Sequence, residues 1–270
     1  MDKQSKAAPQ AVISEPANIL SLDISSVKVL QIGYQAETIF LHKTTEDSLT
    51  IKEYINYHAS EYFAKITANR FKTTIRYGRR EEVNMDSYVE VFLPENWSGE
   101  LSISSQYGNI HSEDDWNFER FTAESSEGSI RLKSILAPRI RITTSMGPIQ
   151  IEHAQGFTDI HSVSGAIIAY RIDGGAKLAT SSAPIFANFE SLNNIIECNT
   201  LNGDIQMALP ENTGMKIDGI SKTGDIQSEI DGITIKTKPG NIKNITGILG
   251  EKPYQDVRIS TINGNITLNY

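Results

Sequence analysis

One short word recurs through the last two thirds of this chain and limits what it can fold into: glycine, any residue, isoleucine. It stands at Gly108-Asn109-Ile110, Gly128-Ser129-Ile130, Gly147-Pro148-Ile149, Gly165-Ala166-Ile167, Gly203-Asp204-Ile205, Gly224-Asp225-Ile226, Gly240-Asn241-Ile242 and Gly264-Asn265-Ile266, with Ala183-Pro184-Ile185 as a degenerate ninth copy. Successive copies lie 20, 19, 18, 18, 20, 21, 16 and 24 residues apart, a mean of 19.5, and the short step is compensated by the long one, which carries an insertion near 247–253. A period of this length marks a stacked repeat architecture, in which each unit buries its apolar face only against its neighbours.

The residues ahead of each anchor repeat as well. Three positions earlier stand Ser105, Ser125, Thr144, Ser162, Thr180, Thr200, Ser221, Thr237 and Thr261, a hydroxyl in all nine copies. Five and seven positions earlier the residues are apolar, apart from Gly219 and Thr158. Each copy therefore reads as a strand with alternate residues inward, a corner, and a second strand led by an inward isoleucine. If coils pair in parallel, like positions lie on top of one another, so each inward offset needs a similar side chain down its whole column. The prediction is an all-β chain: a parallel β-solenoid, β-helix-like, with about nine regular coils over 101–270, stacked to roughly 43 Å. The eight glycines and nine isoleucines of the anchors are its expected turn and core columns. Glycine is expected at the corner to supply positive φ, and the Ser/Thr hydroxyls to bond backbone groups that the corner removes from the ladder.

Residues 1–18 are rich in Ala, Ser, Pro and Gln without apolar period and read as a disordered arm. Residues 19–100 hold short β-branched and aromatic segments, a strand-rich section and cap continuous with the solenoid. Leu93-Pro94-Glu95-Asn96 supports that continuity, because its proline precedes Gly108 by the same 14 residues that separate Pro210 of Leu209-Pro210-Glu211-Asn212 from Gly224.

These motifs resemble the bacterial adhesin-like family defined by the domain of unknown function 4097, whose members carry serial Ser/Thr-x-x-Gly-x-Ile repeats after a leading strand that ends in Leu-Pro. The resemblance covers roughly residues 19–270. It implies a β-solenoid with an adhesion or envelope-associated role, and it supplies no catalytic residue.

Composition narrows the partners. With 25 Lys and Arg against 33 Asp and Glu the net charge is −8, which repels phosphate backbones, so nucleic acid is not expected. The single Cys198 falls in an inward apolar column and reads as a buried structural thiol. No apolar run reaches the length of a signal peptide core or a membrane span. As written, the chain reads as cytoplasmic, and as a cell-envelope protein if a leader or anchor has been removed.

The candidate sites are few. Asp204 and Asp225 share one column, and on adjacent coils they would stand at about the 5 Å carboxyl spacing of a retaining glycosidase. The same column also holds Asn109, Ser129, Pro148, Ala166, Pro184, Asn241 and Asn265, the mixture of an exposed turn, and turn chemistry is the expectation. His42, His58, His111, His153 and His161 show no metal-ligand spacing. The basic run Arg70, Lys72, Arg76, Arg79 and Arg80, with Phe71 and Tyr77 inside it, is followed by Glu81 and Glu82. It reads as a solvated loop with local ion pairing, a groove for an anionic polymer being the alternative. Trp97 and Trp116 are expected to pack over the solenoid rather than to stack on sugars.

No catalytic, cofactor-binding or metal-binding residue is expected. The expected function is a structural or interaction module that contacts a protein or a cell-surface glycan. The alternative is a polysaccharide-active enzyme or carbohydrate-binding β-helix. A hexapeptide-type acyltransferase solenoid is disfavoured by coils that vary from 16 to 24 residues. Because the chain finishes on the strand 266–270 with no capping helix, weak end-to-end self-association is expected.

Overall fold

The computed structural model describes residues 13–80, 86–211 and 213–270, and every regular element among them is a β-strand. Residues 1–12 of the expected arm lie outside the described residues, and Asn18 already belongs to the first strand, Asn18–Asp23. The chain winds as a flattened parallel solenoid with two faces. One face is built from the strands that end in the Ser/Thr residue, the other from the strands that begin with the anchor isoleucine. Ile130–Thr144 and Ile149–Ser162 run unbroken around the far corner and belong to both.

The isoleucines stack in register. Ile39 pairs with Ile110, Ile110 with Ile130, Ile130 with Ile149, Ile149 with Ile167, Ile167 with Ile185, Ile185 with Ile205, Ile205 with Ile266 and Ile266 with Ile226. All are buried and belong to one continuous core. Transfer of each such side chain from water contributes roughly 1.5–3 kcal/mol.

At the corner, the hydroxyl three residues ahead of each glycine closes the turn and ties it to the coil below. Ser125 Oγ accepts the Gly128 N–H at 2.9 Å and donates to the Gly108 carbonyl at 3.0 Å. Ser105 does the same for Gly108 and Glu37, and Ser221 for Gly224 and Gly264. Thr144 donates to the Gly147 carbonyl at 2.6 Å and meets Ser162 Oγ at 3.0 Å. The hydroxyl column is thus buried and used, except at Thr237, which is exposed on an antiparallel hairpin. Ser162→Ala removes the acceptor of the Gly165 N–H, a 2.9 Å bond inside the core. It is expected to lower stability by about 1–3 kcal/mol. Urea unfolding at unchanged m-value measures this, and a loss too small to detect would mean that the bond is idle.

The glycines serve another purpose than the one expected. Gly108, Gly128, Gly147, Gly165, Gly203, Gly224 and Gly264 are absent from the positive-φ glycines, which are Gly156, Gly174, Gly232, Gly240 and Gly250. Instead, a Cβ on Gly128 would lie 2.1 Å from the Gly108 carbonyl oxygen, on Gly147 2.0 Å from that of Gly128, and on Gly165 1.9 Å from that of Gly147. The column needs glycine because each corner sits on the backbone of the one below.

The same contacts show that the coils do not stack in chain order. A Cβ on Gly264 would strike Gly203, and one on Gly224 would strike Gly264. The last coil therefore fills the space between the coils of Gly203 and Gly224, its strands Gln255–Thr261 and Ile266–Asn269 paired on both sides. The C-terminal strand that was expected to lie open is an interior strand, and this removes the reason given for end-to-end pairing through it.

Gly240 and Ile242 leave the columns altogether. They belong to an antiparallel hairpin, Ile233–Lys238 against Ile242–Leu249, whose turn has Gly240 at φ 82° and Asn241 at φ 61°. This hairpin lies antiparallel along Met215–Ser221 and caps that pole. The irregular spacing of 16 and 24 is its signature.

The opposite pole repeats the arrangement. The strands Val29–Tyr34 and Thr38–Thr44 form a coil without the sequence word, slotted between the coil of Lys72–Arg76 and Tyr88–Pro94 and the coil of Gly108. Two antiparallel additions close this pole: Asn18–Asp23 on Ser48–Tyr54 on Tyr88–Pro94, and Lys65–Ala68 on Lys72–Arg76.

Candidate functional site

The slotted first coil breaks the corner rule, and its substitutes create the most charged interior of the molecule. Glu37 stands where the next coil has Gly108, and Tyr34 stands opposite Ser105. Glu37 Oε2 accepts the N–H groups of Gln35 and Ala36 at 3.1 and 3.0 Å, so a side chain closes this corner in place of a hydroxyl. Its other oxygen takes the Arg80 Nε–H at 2.7 Å. Glu53, fully buried, accepts from Asn18 Nδ2 at 2.7 Å and the Ala64 N–H at 2.9 Å, with its second oxygen 3.9 Å from Arg80 Nη2. Arg80 also donates to the carbonyls of Tyr62 and Arg79, and its guanidinium lies beside the rings of Tyr57 and Tyr77. Burial, then the Glu53 and Glu37 carboxylates, push the Tyr34 phenol well above its ordinary range, so it stays neutral. This network ties the first strand, the slotted coil and the segment 53–80 into one pole.

A basic hairpin forms the edge of that pole. Lys65–Ala68 is exposed on both of its faces, paired only along Lys72–Arg76. Asn69 Oδ1 holds the tip by accepting from the N–H groups of Phe71 and Lys72 at 3.0 and 2.9 Å. Phe71 is 50% exposed, with Arg70 5.2 Å and Lys28 5.7 Å from its ring centre. Residues 62–80 contain six Lys and Arg and no carboxylate. Arg80 separates from the rest of the run by being buried, and Glu81 and Glu82, the expected ion-pair partners, lie outside the described residues.

A second polar chain crosses four coils. Ser134 Oγ is 3.2 Å from His153 Nδ1, His153 Nε2 is 3.0 Å from Asp173 Oδ2, and Ser191 donates to Asp173 Oδ1 at 3.0 Å. With Nε2–H donating to Asp173 Oδ2, Nδ1 accepts from Ser134. These residue types suit a nucleophile, base and orienter, but Ser134 is 5% exposed and its hydroxyl is spent inside the chain. Asp173 and Ser191 line a groove with Asn117, Gln155 and Asn193. Sequence reasoning missed this chain; its signal is the spacing of 19, 20 and 18 residues, the coil period itself.

The other sequence candidates resolve individually. Asp204 and Asp225 are two coils apart: Asp204 Oδ1 accepts the Asn265 N–H at 2.7 Å, and Asn265 Oδ1 accepts that of Asp225 at 2.9 Å. The 5 Å carboxyl pair does not exist, and the column works as turn chemistry. Cys198 is buried, which pushes its thiol up and away from nucleophilic use. Trp97 donates to the Val27 carbonyl and Trp116 to Ser112 Oγ, both packed beside Phe118. His58 and His161 are exposed. Among the described residues no group of three or more His, Cys, Asp or Glu is placed to hold a metal ion.

His42 and His111 join an outward aromatic column. Phe40 stacks on His111 at 5.6 Å, His42 on Phe92 at 5.2 Å and Tyr54 on Tyr88 at 4.3 Å. Lys52 covers the Phe92 ring at 4.6 Å. The rings cover one another's faces and leave no flat platform for a sugar. Burial, then Arg131, lower the His111 pKa against a smaller opposing effect of Glu113. Its folded value lies below the unfolded one, so the stability it contributes is full above about pH 6.5 and is lost as the pH falls through the folded value. A proton NMR titration is expected to find this midpoint lowered and to find it raised in Arg131→Gln; a midpoint at the ordinary value would contradict the packing.

The model of the Toastrack DUF4097 family matches residues 27–269. The chain belongs to this family. The Toastrack match begins two residues ahead of the slotted coil and ends with the C-terminal strand, so it includes both slotted coils and leaves out the first strand, Asn18–Asp23. Among solved structures, a proposed adhesin from Bacteroides fragilis is similar over 93% of this chain and 97% of its own, at 13% identity and a TM-score of 0.49. A proposed cell adhesion protein from Clostridium sporogenes covers the same shares at 11% identity and a TM-score of 0.28. No curated protein matches. No helix among the described residues is long and apolar enough to cross a membrane.

Proposed function

We propose that this Toastrack chain is a non-catalytic interaction module, an adhesin-like or envelope-associated scaffold whose outward rows contact a protein or a cell-surface glycan. The observation that carries this reading is the way polar side chains are used. The groups that resemble catalytic ones are bonded to each other across coils, as in Ser134, His153, Asp173 and Ser191, or to the next corner, as in Asp204 and Asn265. A stack with these bonds holds its outward rows at fixed spacing, which favours recognition over turnover. The adhesin descriptions of the Bacteroides and Clostridium proteins agree with it.

The polar groove of Asn117, Gln155 and Asn193 favours a second reading, a carbohydrate-binding β-helix. A glycan array and a reciprocal pulldown with envelope proteins separate the two. Retention of a partner that survives His153→Ala and Asp204→Asn is expected. Release of reducing ends from a polysaccharide, abolished by either substitution, would overturn the non-catalytic reading. Glycan binding lost in Gln155→Ala would select the groove.

A further inference from the structure

We propose that the basic hairpin 65–76 is a docking edge for an anionic lipid surface. The inference rests on the envelope-associated reading and names the partner of one pole. Three observations converge on it. The outer strand Lys65–Ala68 is exposed on both faces and pairs only with Lys72–Arg76, which is itself anchored in the body on Val29–Gly33. The turn presents Phe71, half exposed, and the outer strand presents Ile66, 39% exposed. Around them Lys28, Lys65, Arg70, Lys72 and Arg76 are all exposed, and none makes an ion pair among the described residues. Lys65 donates to the Ser60 carbonyl, while Lys28 and Arg70 rest against the Phe71 ring.

A chain of net charge −8 that places Lys28, Arg70 and Lys72 at the turn and Lys65 and Arg76 at the open end of the same hairpin, none ion-paired among the described residues, is complementary to a negative surface there, which orients the approach. The shape selects among negative partners. A soluble polyanion is held by a groove lined with cations and aromatic faces. Here an exposed turn presents a single ring, Phe71, flanked by Arg70 and Lys28, the arrangement that suits a headgroup layer with the apolar side chain at the acyl boundary. The Asx turn of Asn69 fixes the tip before contact, so little ordering is needed on binding.

The full chain is tested by cosedimentation with vesicles of phosphatidylcholine alone or with about one third phosphatidylserine, at low and physiological salt. Binding only to the anionic vesicles, weakened by salt, is expected. Arg70→Gln with Lys72→Gln is expected to weaken it about 25-fold, at about fivefold for each charge removed. Phe71→Ser is expected to weaken it severalfold without changing the salt dependence. Lys236→Gln with Lys238→Gln, an equal charge loss on the opposite pole, is expected to change nothing. All five positions are exposed, and thermal unfolding verifies that each variant is folded.

Absence of binding at low salt, or equal weakening by the two double variants, would overturn the proposal. Capture of heparin with vesicles ignored would replace the lipid surface by a soluble polyanion. A failed vesicle assay beside an intact glycan or protein partner sinks the docking edge alone, whereas loss of every partner sinks the interaction module as well.

Discussion

Gly147→Ala is expected to destabilise the protein by at least about 3 kcal/mol, the upper end of overpacking losses. The added Cβ would lie 2.0 Å from the Gly128 carbonyl oxygen and 2.3 Å from its carbon. Both are backbone atoms held in the next coil, so relief requires parting two coils and lengthening the Ile130 to Ile149 ladder. Gly240→Ala is the internal control. It shares the sequence word, but no heavy atom lies within 4 Å of its Cβ position, and its φ of 82° is the only obstacle. That obstacle costs about 1–2 kcal/mol. Urea unfolding of the two variants measures the difference, and similar losses at both sites would show that close approach is not what selects glycine at the corners.

Arg80→Met is expected to cost about 3–5 kcal/mol, the range found when one partner of a buried ionic group is removed. Glu37 and Glu53 would face each other inside the pole, one of them without its 2.7 Å guanidinium bond. Combining Arg80→Met with Glu37→Gln and Glu53→Gln is expected to recover much of the loss, because the uncompensated charge disappears. A triple variant no better than Arg80→Met would assign the effect to packing against Tyr57 and Tyr77 instead. Thermal and urea unfolding together read both outcomes.

What the sequence reveals and hides follows from the physics of stacking. Parallel pairing sets like on like, so strand parity, the isoleucine positions and the hydroxyl ahead of the corner can all be read from spacing. Coil order cannot. A Gly-x-Ile word states that a segment is able to form a corner, and nothing in Gly203, Gly224 or Gly264 states which corner rests on which. The word can also arise from a hairpin turn, as Pro239-Gly240-Asn241 demonstrates with its left-handed backbone. Conversely, the coil at Tyr34 and Glu37 is a true rung that keeps the inward Leu30, Ile32 and Ile39 but lacks the hydroxyl and the glycine, because a buried carboxylate closes its corner. The Arg80 network draws on positions 18, 37, 53, 64 and 80, which share no period, and only the fold brings them together. The chain from Ser134 to Ser191 keeps the period, yet its chemistry is hidden by residues of ordinary turn and surface type.

The slotted coils at both poles change how such a molecule must be assembled. In a rod wound in chain order, growth adds each segment to a finished surface, and loss begins by unwinding from whichever end is loose. Here the segment 255–269 has to enter a gap whose outer wall, 215–228, was synthesised before it, and 29–44 is enclosed only after 72–94 has closed over it. Each outermost turn is therefore a loop fastened at two points, and closing it requires distant stretches of chain to meet. The rod behaves as a buckled strap, slow to fasten and with its last strand held inside the stack.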